Sequence, residues 1–154
     1  MKHELVFLGK TKDSFITRGI EAYSMRLKHY TSLSISTLKE KKKGSKNYLL
    51  KADQGEQLLQ SVPRGALIVA LDSKGIQLTS ELFAKKISDW ELRGTKQVSY
   101  LIGGPDGLSS EVTGAADFLL SLSKMTFTHD MARLFLIEQL YRAYTIKAGE
   151  KYHK

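Results

Sequence analysis

The feature that most constrains the fold is the alternation of short apolar runs with longer amphipathic segments along the chain. The apolar runs have the length of buried strands, and each is followed by a segment with helical spacing of its apolar residues. This alternation is typical of a mostly parallel sheet with crossover helices. We predict strands at residues 5–8, 33–38, 66–71, 98–102 and 118–122, and helices at residues 13–29, 48–61, 80–93, 111–116 and 129–147.

The size of the chain fits a single α/β domain, spanning residues 1–154. Cysteine is absent, which excludes disulfides, thiolate metal sites and cysteine nucleophiles. The first apolar run is too short for a signal peptide, and no run approaches the length of a membrane span. We therefore expect a cytoplasmic protein without a membrane partner.

The charge balance favours a polyanionic partner. Lys and Arg number 24 against 16 Asp and Glu, which leaves a formal net charge of +8. Such an excess suits RNA or DNA, and it also keeps a protein soluble. The lysine-rich segment from Lys39 to Lys46 fits two interpretations, a solvated loop or a phosphate-binding loop, and the sequence does not separate them.

A glycine-rich turn, residues 103–107, follows the fourth apolar run. Such a turn exposes backbone amides at the carboxyl edge of a sheet, where open α/β folds bind ligands, although it also fits an ordinary strand-to-helix connection. Two other runs end in polar segments, residues 71–75 and 122–126. We predict that these three strand ends converge on one pocket.

Common nucleotide and metal motifs are missing. The segment at residues 9–11 resembles a phosphate loop but has Glu4 where that motif needs glycine, and Pro105 interrupts any dinucleotide fingerprint. The histidines lack metal-ligand spacing, so no metal is predicted. For His129 we expect a structural role at the start of a helix capped by Thr128. The histidines are His3, His29, His129 and His153.

The last predicted helix carries apolar residues around nearly its whole circumference and must be covered on all sides. We expect a homodimer that buries this helix; a helix buried within one monomer is the alternative. The tail after it ends in Tyr152, His153 and Lys154. These residue types stack on unpaired bases and contact phosphate, whereas chain ends are by default frayed and inert.

The chain closely resembles the ribosomal RNA large subunit methyltransferase H family of the SPOUT class, over essentially its whole length. The resemblance rests on residues 101–108, 122–127 and 138–143 and on the tail. It implies a homodimeric enzyme that uses S-adenosyl-L-methionine to methylate N3 of a pseudouridine in 23S rRNA of the assembled ribosome. It also implies a C-terminal trefoil knot, an exception to unknotted topology.

The resemblance also implies a set of site residues. N3 carries a proton, so its methylation needs a base or a cation that stabilises the anion. We expect His153 to be the base, Arg142 the cation, Tyr152 the residue that orients the target base, and Glu138 the partner of Arg142; a plain helix-face ion pair is the alternative for Glu138 and Arg142. Each tail is expected to reach the cofactor pocket of the partner. The implied cofactor residues are Leu71, Gly103, Leu122, Ser123, Lys124, Met125, Thr126 and Phe127.

Two positions depart from the family pattern. Thr128 replaces a proline before the histidine, and Lys154 replaces a terminal arginine, which removes a bidentate fork but keeps a positive charge. Two other functions remain open: a SPOUT methyltransferase acting on transfer RNA, and a noncatalytic ribosome-assembly protein that has lost the cofactor.

Overall fold

The structure is a computed structural model that describes residues 1–39 and 47–153. The elements follow the predicted alternation of strand and helix, and a short 3₁₀ helix, Lys151–His153, follows the last helix. Most boundaries lie within three residues of the prediction. The elements are β1 (Lys2–Leu8), α1 (Ser14–Leu27), β2 (Ser32–Leu38), α2 (Asn47–Gln60), β3 (Leu67–Gln77), α3 (Ser80–Leu92), β4 (Gln97–Ile102), α4 (Ser110–Ala115), β5 (Phe118–Ser121) and α5 (His129–Lys147).

The strands form one parallel sheet in the order β2-β1-β4-β3-β5. Side chains alternate between its faces, so that Leu5 and Phe7 pack on one side and Val6 on the other. Helices α1, α3 and α5 cover the first face, while α2 and α4 cover the second. The predicted α/β fold with helices flanking a parallel sheet is confirmed.

Side chains cap the starts of helices α1, α3 and α5, and the cap of α5 is the expected Thr128. The side chain of Asp13 accepts hydrogen bonds from the amides of Phe15 (2.7 Å) and Ile16 (3.1 Å) at the start of α1. Thr79 and Thr128 cap α3 and α5, and Thr128 Oγ1 accepts the amide of Met131 at 3.2 Å. A threonine therefore sets the start of the last helix without the fixed φ of proline.

The predicted end of β3 at Leu71 is wrong. The strand continues to Gln77 after a bulge at residues 72–75, and both Leu71 and Ile76 pair with Leu120 of β5. The polar residues and glycine that signalled a turn instead form this excursion, within which the Lys74 amide donates to the Asp72 carboxylate at 2.8 Å. At Gly75 a Cβ atom would lie 2.7 Å from the Leu119 carbonyl, so the bulge lies directly against β5.

The last helix, α5, packs against α1 and α3 on its inner side, where Leu136, Ile137, Leu140 and Ala143 are buried. Part of its apolar circumference is therefore covered within the single chain. The residues on its outward side are only half-buried, and we call these residues the outer stripe of α5. The outer stripe consists of Met131, Phe135, Glu138 and Arg142. Leu134 and Tyr141 instead face α1, where Leu134 lies against Gly19 and the Tyr141 ring packs near Tyr23 and Tyr30.

Candidate active site

The three segments predicted to converge do lie together, although only two of them follow strand ends: the glycine turn follows β4, the 122–127 segment follows β5, and Leu71 lies at the bulge within β3. They surround a cavity of about 490 Å³ and an adjoining one of about 150 Å³. Both cavities are lined by Leu71, Thr126, Phe127 and Ala132. We call the two cavities together the glycine-turn cleft. The larger cavity adds Ile102, Gly103, Gly104, Pro105, Gly107, Thr128 and His129, and the smaller adds Asp72, Ser73, Leu120, Ser121, Leu122, Ser123 and Met125.

One wall of the glycine-turn cleft is a tight turn. The amide of Gly107 donates to the Gly104 carbonyl at 3.0 Å, Pro105 occupies the second position of the turn, and Gly107 has a φ of 74°. A Cβ atom on Gly103 would lie 2.8 Å from the carbonyl carbon and oxygen of Gly107. Gly103 is therefore needed to close the turn, and the closed turn shapes the cleft.

The opposite wall is the segment between β5 and α5. Ser121 Oγ donates to the carbonyl of Ser123 at 3.0 Å, and the Met125 amide donates to Ser123 Oγ at 2.9 Å. These hydrogen bonds stabilise the segment after β5, while the side chain of Met125 remains 74% exposed. Lys124 is also exposed and lines neither cavity, unlike the other predicted cofactor residues.

The start of α5 brings in charged residues that the sequence prediction missed. His129 lines the cleft, and its Nε2 lies 3.4 Å from Asp130 Oδ1. Asp130 accepts Arg133 Nη1 at 3.0 Å, and the fully buried Arg133 also donates to Thr11 Oγ1 (3.0 Å) and the Leu8 carbonyl (2.6 Å). The sequence contained a signal for this cluster, namely charged residues within a helix that is apolar on all sides. A charge buried in such a helix needs partners.

The tail residues form a second cluster with α5 and α1. Glu138 Oε1 accepts hydrogen bonds from Arg142 Nη2 (2.6 Å), Arg142 Nε (3.0 Å) and the Tyr152 hydroxyl (3.2 Å). The Arg142 guanidinium lies 4.9 Å from the centre of the Tyr152 ring, and the Tyr23 hydroxyl is 3.2 Å from that of Tyr152. The predicted Glu138–Arg142 pair is confirmed, and the tail is packed against the helices at Tyr152. We call Glu138, Arg142 and Tyr152 the tail cluster.

The surroundings of Arg142 and Tyr152 determine the charge that each of them carries. The hydrogen bonds that Arg142 donates to Glu138 raise the pKa of Arg142, which stays cationic. Burial, together with the Tyr23 hydroxyl, raises the pKa of Tyr152 well above its usual value. The Tyr152 hydroxyl is therefore neutral near pH 7 and acts as a hydrogen-bond donor, not as a base.

Within one chain the tail cluster and the glycine-turn cleft are separate. Ala132 lines the cleft, and Arg142 follows ten residues later on the same helix, about 15 Å away at 1.5 Å per residue. His153 ends the 3₁₀ helix, but its side chain, like Lys154 and residues 40–46, lies outside the described residues. The predicted catalytic and cofactor residues thus occupy two places on one protomer.

The largest of these cavities, about 680 Å³, lies elsewhere, between α1 and β2. Size alone would favour it as the active site. The glycine-turn cleft is the stronger candidate for a cofactor because two irregular backbone segments and a glycine turn meet there at strand ends.

Within residues 1–39 and 47–153, no three His, Asp or Glu side chains gather as metal ligands would. The described helices include none long and apolar enough to cross a membrane.

Comparison with known proteins identifies relatives over the full chain. Residues 1–153 match the family model described as predicted SPOUT methyltransferase. A protein of Desulfotalea psychrophila named ribosomal RNA large subunit methyltransferase H is 59% identical, and namesakes from Halothermothrix orenii and Clostridioides difficile are 41% and 40% identical; each match covers 100% of both chains.

Solved structures share the fold at low identity. A probable methylase family protein from Haemophilus influenzae gives a TM-score of 0.55 at 12% identity, covering 99% of this chain and 70% of that one. The TrmJ protein of Z. mobilis gives 0.52 at 14% identity, with 92% and 69% covered. The chain therefore belongs to the SPOUT methyltransferase family, alongside relatives named ribosomal RNA large subunit methyltransferase H.

Proposed function

We propose that this protein uses S-adenosyl-L-methionine to methylate N3 of a pseudouridine in the 23S rRNA of the assembled ribosome. The observation that carries the proposal is the convergence of Leu71, Gly103 and the 122–127 segment on one cleft. The names of the full-length relatives supply the RNA class. Such a substrate places the enzyme in the cytoplasm.

The glycine-turn cleft fits the cofactor in size and chemistry. A cavity of about 490 Å³ lies within the range of roughly 300–1,000 Å³ common for small-molecule sites. Apolar side chains such as Leu71 and Phe127 suit an adenine ring, and the two backbone segments offer amides and carbonyls to the polar ends. The bound cofactor supplies an electrophilic methyl group. We propose that Leu71, Gly103, Leu122, Ser123, Met125, Thr126 and Phe127 hold it, with Lys124 at the exterior.

The tail cluster supplies what N3 requires. N3–H must lose its proton for methylation, and a fixed cation beside the base lowers the cost of that loss. Arg142 is held in place by two hydrogen bonds to Glu138, and the Tyr152 hydroxyl is neutral and oriented toward the same oxygen. We propose that Arg142 stabilises the anion, Tyr152 positions the base and His153 accepts the proton.

A homodimer brings the two places together. The outer stripe of α5 carries apolar residues at its start and the tail cluster farther along. If two copies pair antiparallel across this stripe, a two-fold axis midway between residues 132 and 142 places the tail cluster of one protomer at the cleft of its partner. Phe127, which packs on Phe135 at 4.8 Å and is 38% exposed, lies at the junction. We propose that each active site contains residues of both protomers.

The trefoil knot remains part of this proposal. Membership of the SPOUT family supports it, as does the position of the glycine turn and the 126–129 segment around one cavity. A noncatalytic assembly protein is the less favoured function, because the cleft is formed by the residues that a methyl donor needs.

Mixed dimers test the composite site. Thr126→Trp fills the cleft from an exposed loop position, and Arg142→Ala removes the cation. Each variant alone should lose methyl transfer to ribosomes. After the two variants are mixed and exchange subunits, half of the dimers contain one subunit of each variant. Each of these mixed dimers has one intact site out of two, so about a quarter of wild-type activity should return.

The matched control is the double variant carrying both substitutions, exchanged with itself, which should stay inactive. No recovery in verified mixed dimers would show that the site lies within one protomer. Absence of methyl transfer by the wild-type protein to ribosomes lacking the modification would refute the proposed reaction.

A further inference from the structure

The cavity of about 680 Å³ between α1 and β2 is unused by the function proposed above. It is lined by described residues of β1, α1 and β2 and of the segments that follow the two strands, and we call it the β1–β2 cleft. Its lining comprises an apolar floor of Phe7, Ile20, Ile35 and Leu38 and a polar rim that includes Lys10, Thr11, Thr17, Glu21, Thr37 and Lys39.

Strand order explains why a cleft opens there. The chain leaves β1 toward α1 on one face of the sheet and leaves β2 toward α2 on the other. Ligands of open α/β sheets bind in the crevice that such a divergence creates at the carboxyl ends of adjacent strands. The same divergence occurs between β4 and β3, where the glycine-turn cleft lies.

The lining combines surfaces that suit a nucleotide. Ile35 is 37% exposed on the edge strand and supplies most of the apolar area that the floor offers to a flat ring, because Phe7 and Ile20 are buried and add little. Lys10 and Lys39 are exposed at the rim, and Thr11 and Thr37 carry hydroxyls. Against these two cations the described lining includes a single carboxylate, that of Glu21.

The β1–β2 cleft is joined to the active-site region by a buried guanidinium. Arg133 lies 4.7 Å from the centre of the Phe7 ring and donates to Thr11, and both of those residues line the β1–β2 cleft. The same guanidinium binds Asp130, whose neighbour His129 lines the glycine-turn cleft. Arg133 therefore contacts two lining residues of the β1–β2 cleft and the neighbour of a lining residue of the glycine-turn cleft.

We propose that the β1–β2 cleft binds an unpaired nucleotide of the RNA substrate, with its base over Phe7 and Ile35 and its phosphates at Lys10 and Lys39. This inference rests on the proposed function, since it assigns a second contact to the same substrate. RNA is favoured over a neutral metabolite because the rim cations belong to a chain of net charge +8.

Binding of purified 70S ribosomes tests the assignment, with binding of S-adenosyl-L-methionine as the measure of intact folding. Thr37→Trp fills the cleft from an exposed position on β2 and should weaken ribosome binding at least tenfold. Lys10→Ala with Lys39→Ala should reduce the slope of log K against log salt by about 1.4, that is, about 0.7 for each lost phosphate contact. Lys28→Ala with Lys85→Ala is the matched control, because both lysines are exposed away from the cleft, and its slope should stay near that of wild type.

If Thr37→Trp also loses cofactor binding, its fold is damaged and the lysine pair alone decides. If the wild-type protein methylates rRNA but the Lys10 and Lys39 variant binds ribosomes as well as wild type does, the inference is overturned and the proposed function stands. No methylation of rRNA by the wild-type protein would overturn both. A benzophenone side chain placed at position 37 should crosslink to rRNA, and labelling confined to ribosomal protein would contradict an RNA occupant.

Discussion

Replacing Gly103 with alanine tests how the glycine turn shapes the candidate cofactor site. The added Cβ would lie 2.8 Å from the carbonyl carbon and oxygen of Gly107 and 3.1 Å from the amide nitrogen of Leu108. All three are backbone atoms, which cannot swing aside as a flexible side chain would. The turn from Gly104 to Gly107 must therefore open or shift.

The expected cost follows from overpacking in a well-packed region, about 1–3 kcal/mol of unfolding free energy. Because the shifted residues line the larger cavity, affinity for S-adenosyl-L-methionine should fall at least tenfold, or about 1.4 kcal/mol. Gly103→Val adds two methyl groups at the same point and should abolish measurable binding.

Two other glycines provide matched controls. At Gly107 a Cβ would meet nothing within 4 Å, but φ is +74°, so Gly107→Ala should cost about 1–2 kcal/mol through backbone conformation alone. Gly114 lies in α4 with open space around it, so Gly114→Ala should stabilise the protein by up to about 1 kcal/mol and leave cofactor affinity unchanged.

Urea unfolding and isothermal titration calorimetry give the two readouts. Cofactor affinity of Gly103→Ala equal to that of Gly114→Ala would refute the reasoning, because it would mean that the turn does not form part of the cofactor site.

Three further predictions concern other parts of the molecule. His3 is buried between the hydroxyls of Tyr100 and Tyr144, and burial lowers its pKa from 6.5 to about 3. At pH values between these two pKa values the unfolded chain binds a proton at His3 that the folded chain does not, so stability should fall as pH drops below 6.5, by up to about 1.4 kcal/mol per pH unit. Urea unfolding of wild type and His3→Gln at pH 5 and 7 should show that the variant loses less unfolding free energy at the lower pH. Equal losses in the two proteins would contradict this. Tyr152→Phe keeps the ring but removes the hydroxyl that binds Glu138. The rate of methyl transfer should fall about tenfold, which is the effect of one lost charge-assisted hydrogen bond, while cofactor affinity measured by calorimetry should be unchanged. Full activity would exclude a role for the hydroxyl. Asp130→Ala removes a carboxylate bound to a buried guanidinium and should cost about 3–5 kcal/mol in denaturant unfolding, whereas a loss below 1 kcal/mol would show that the pair contributes little.

The order of elements could be predicted because an apolar run marks the position of each described strand, and because capping residues precede α1, α3, α4 and α5. The bulge of β3 could not, since Asp72, Lys74 and Gly75 carry the local signals of a turn, and only pairing with β5 returns the chain to the sheet. Pairing with a distant strand is a tertiary effect that a local pattern does not contain.

The convergence of the glycine turn and the 122–127 segment was predictable because the carboxyl ends of parallel strands share one edge, whereas Leu71 reaches the same cleft from the bulge within β3. The positions of Glu138 and Arg142 relative to that edge follow from the rise of a helix, which places Glu138 about 9 Å and Arg142 about 15 Å along α5 from Ala132. The links of Arg133 to Thr11 and Leu8 join residues more than 120 positions apart, and no spacing rule reveals them.

Mass mapping of methylated nucleotides in 23S rRNA, from cells with and without this protein, tests the central claim most directly. One pseudouridine should lose its methyl group in the deletion strain. Methylation should return with the wild-type chain and not with Thr126→Trp, whose expression and folding are verified in parallel. An identical map in both strains would contradict the proposed reaction.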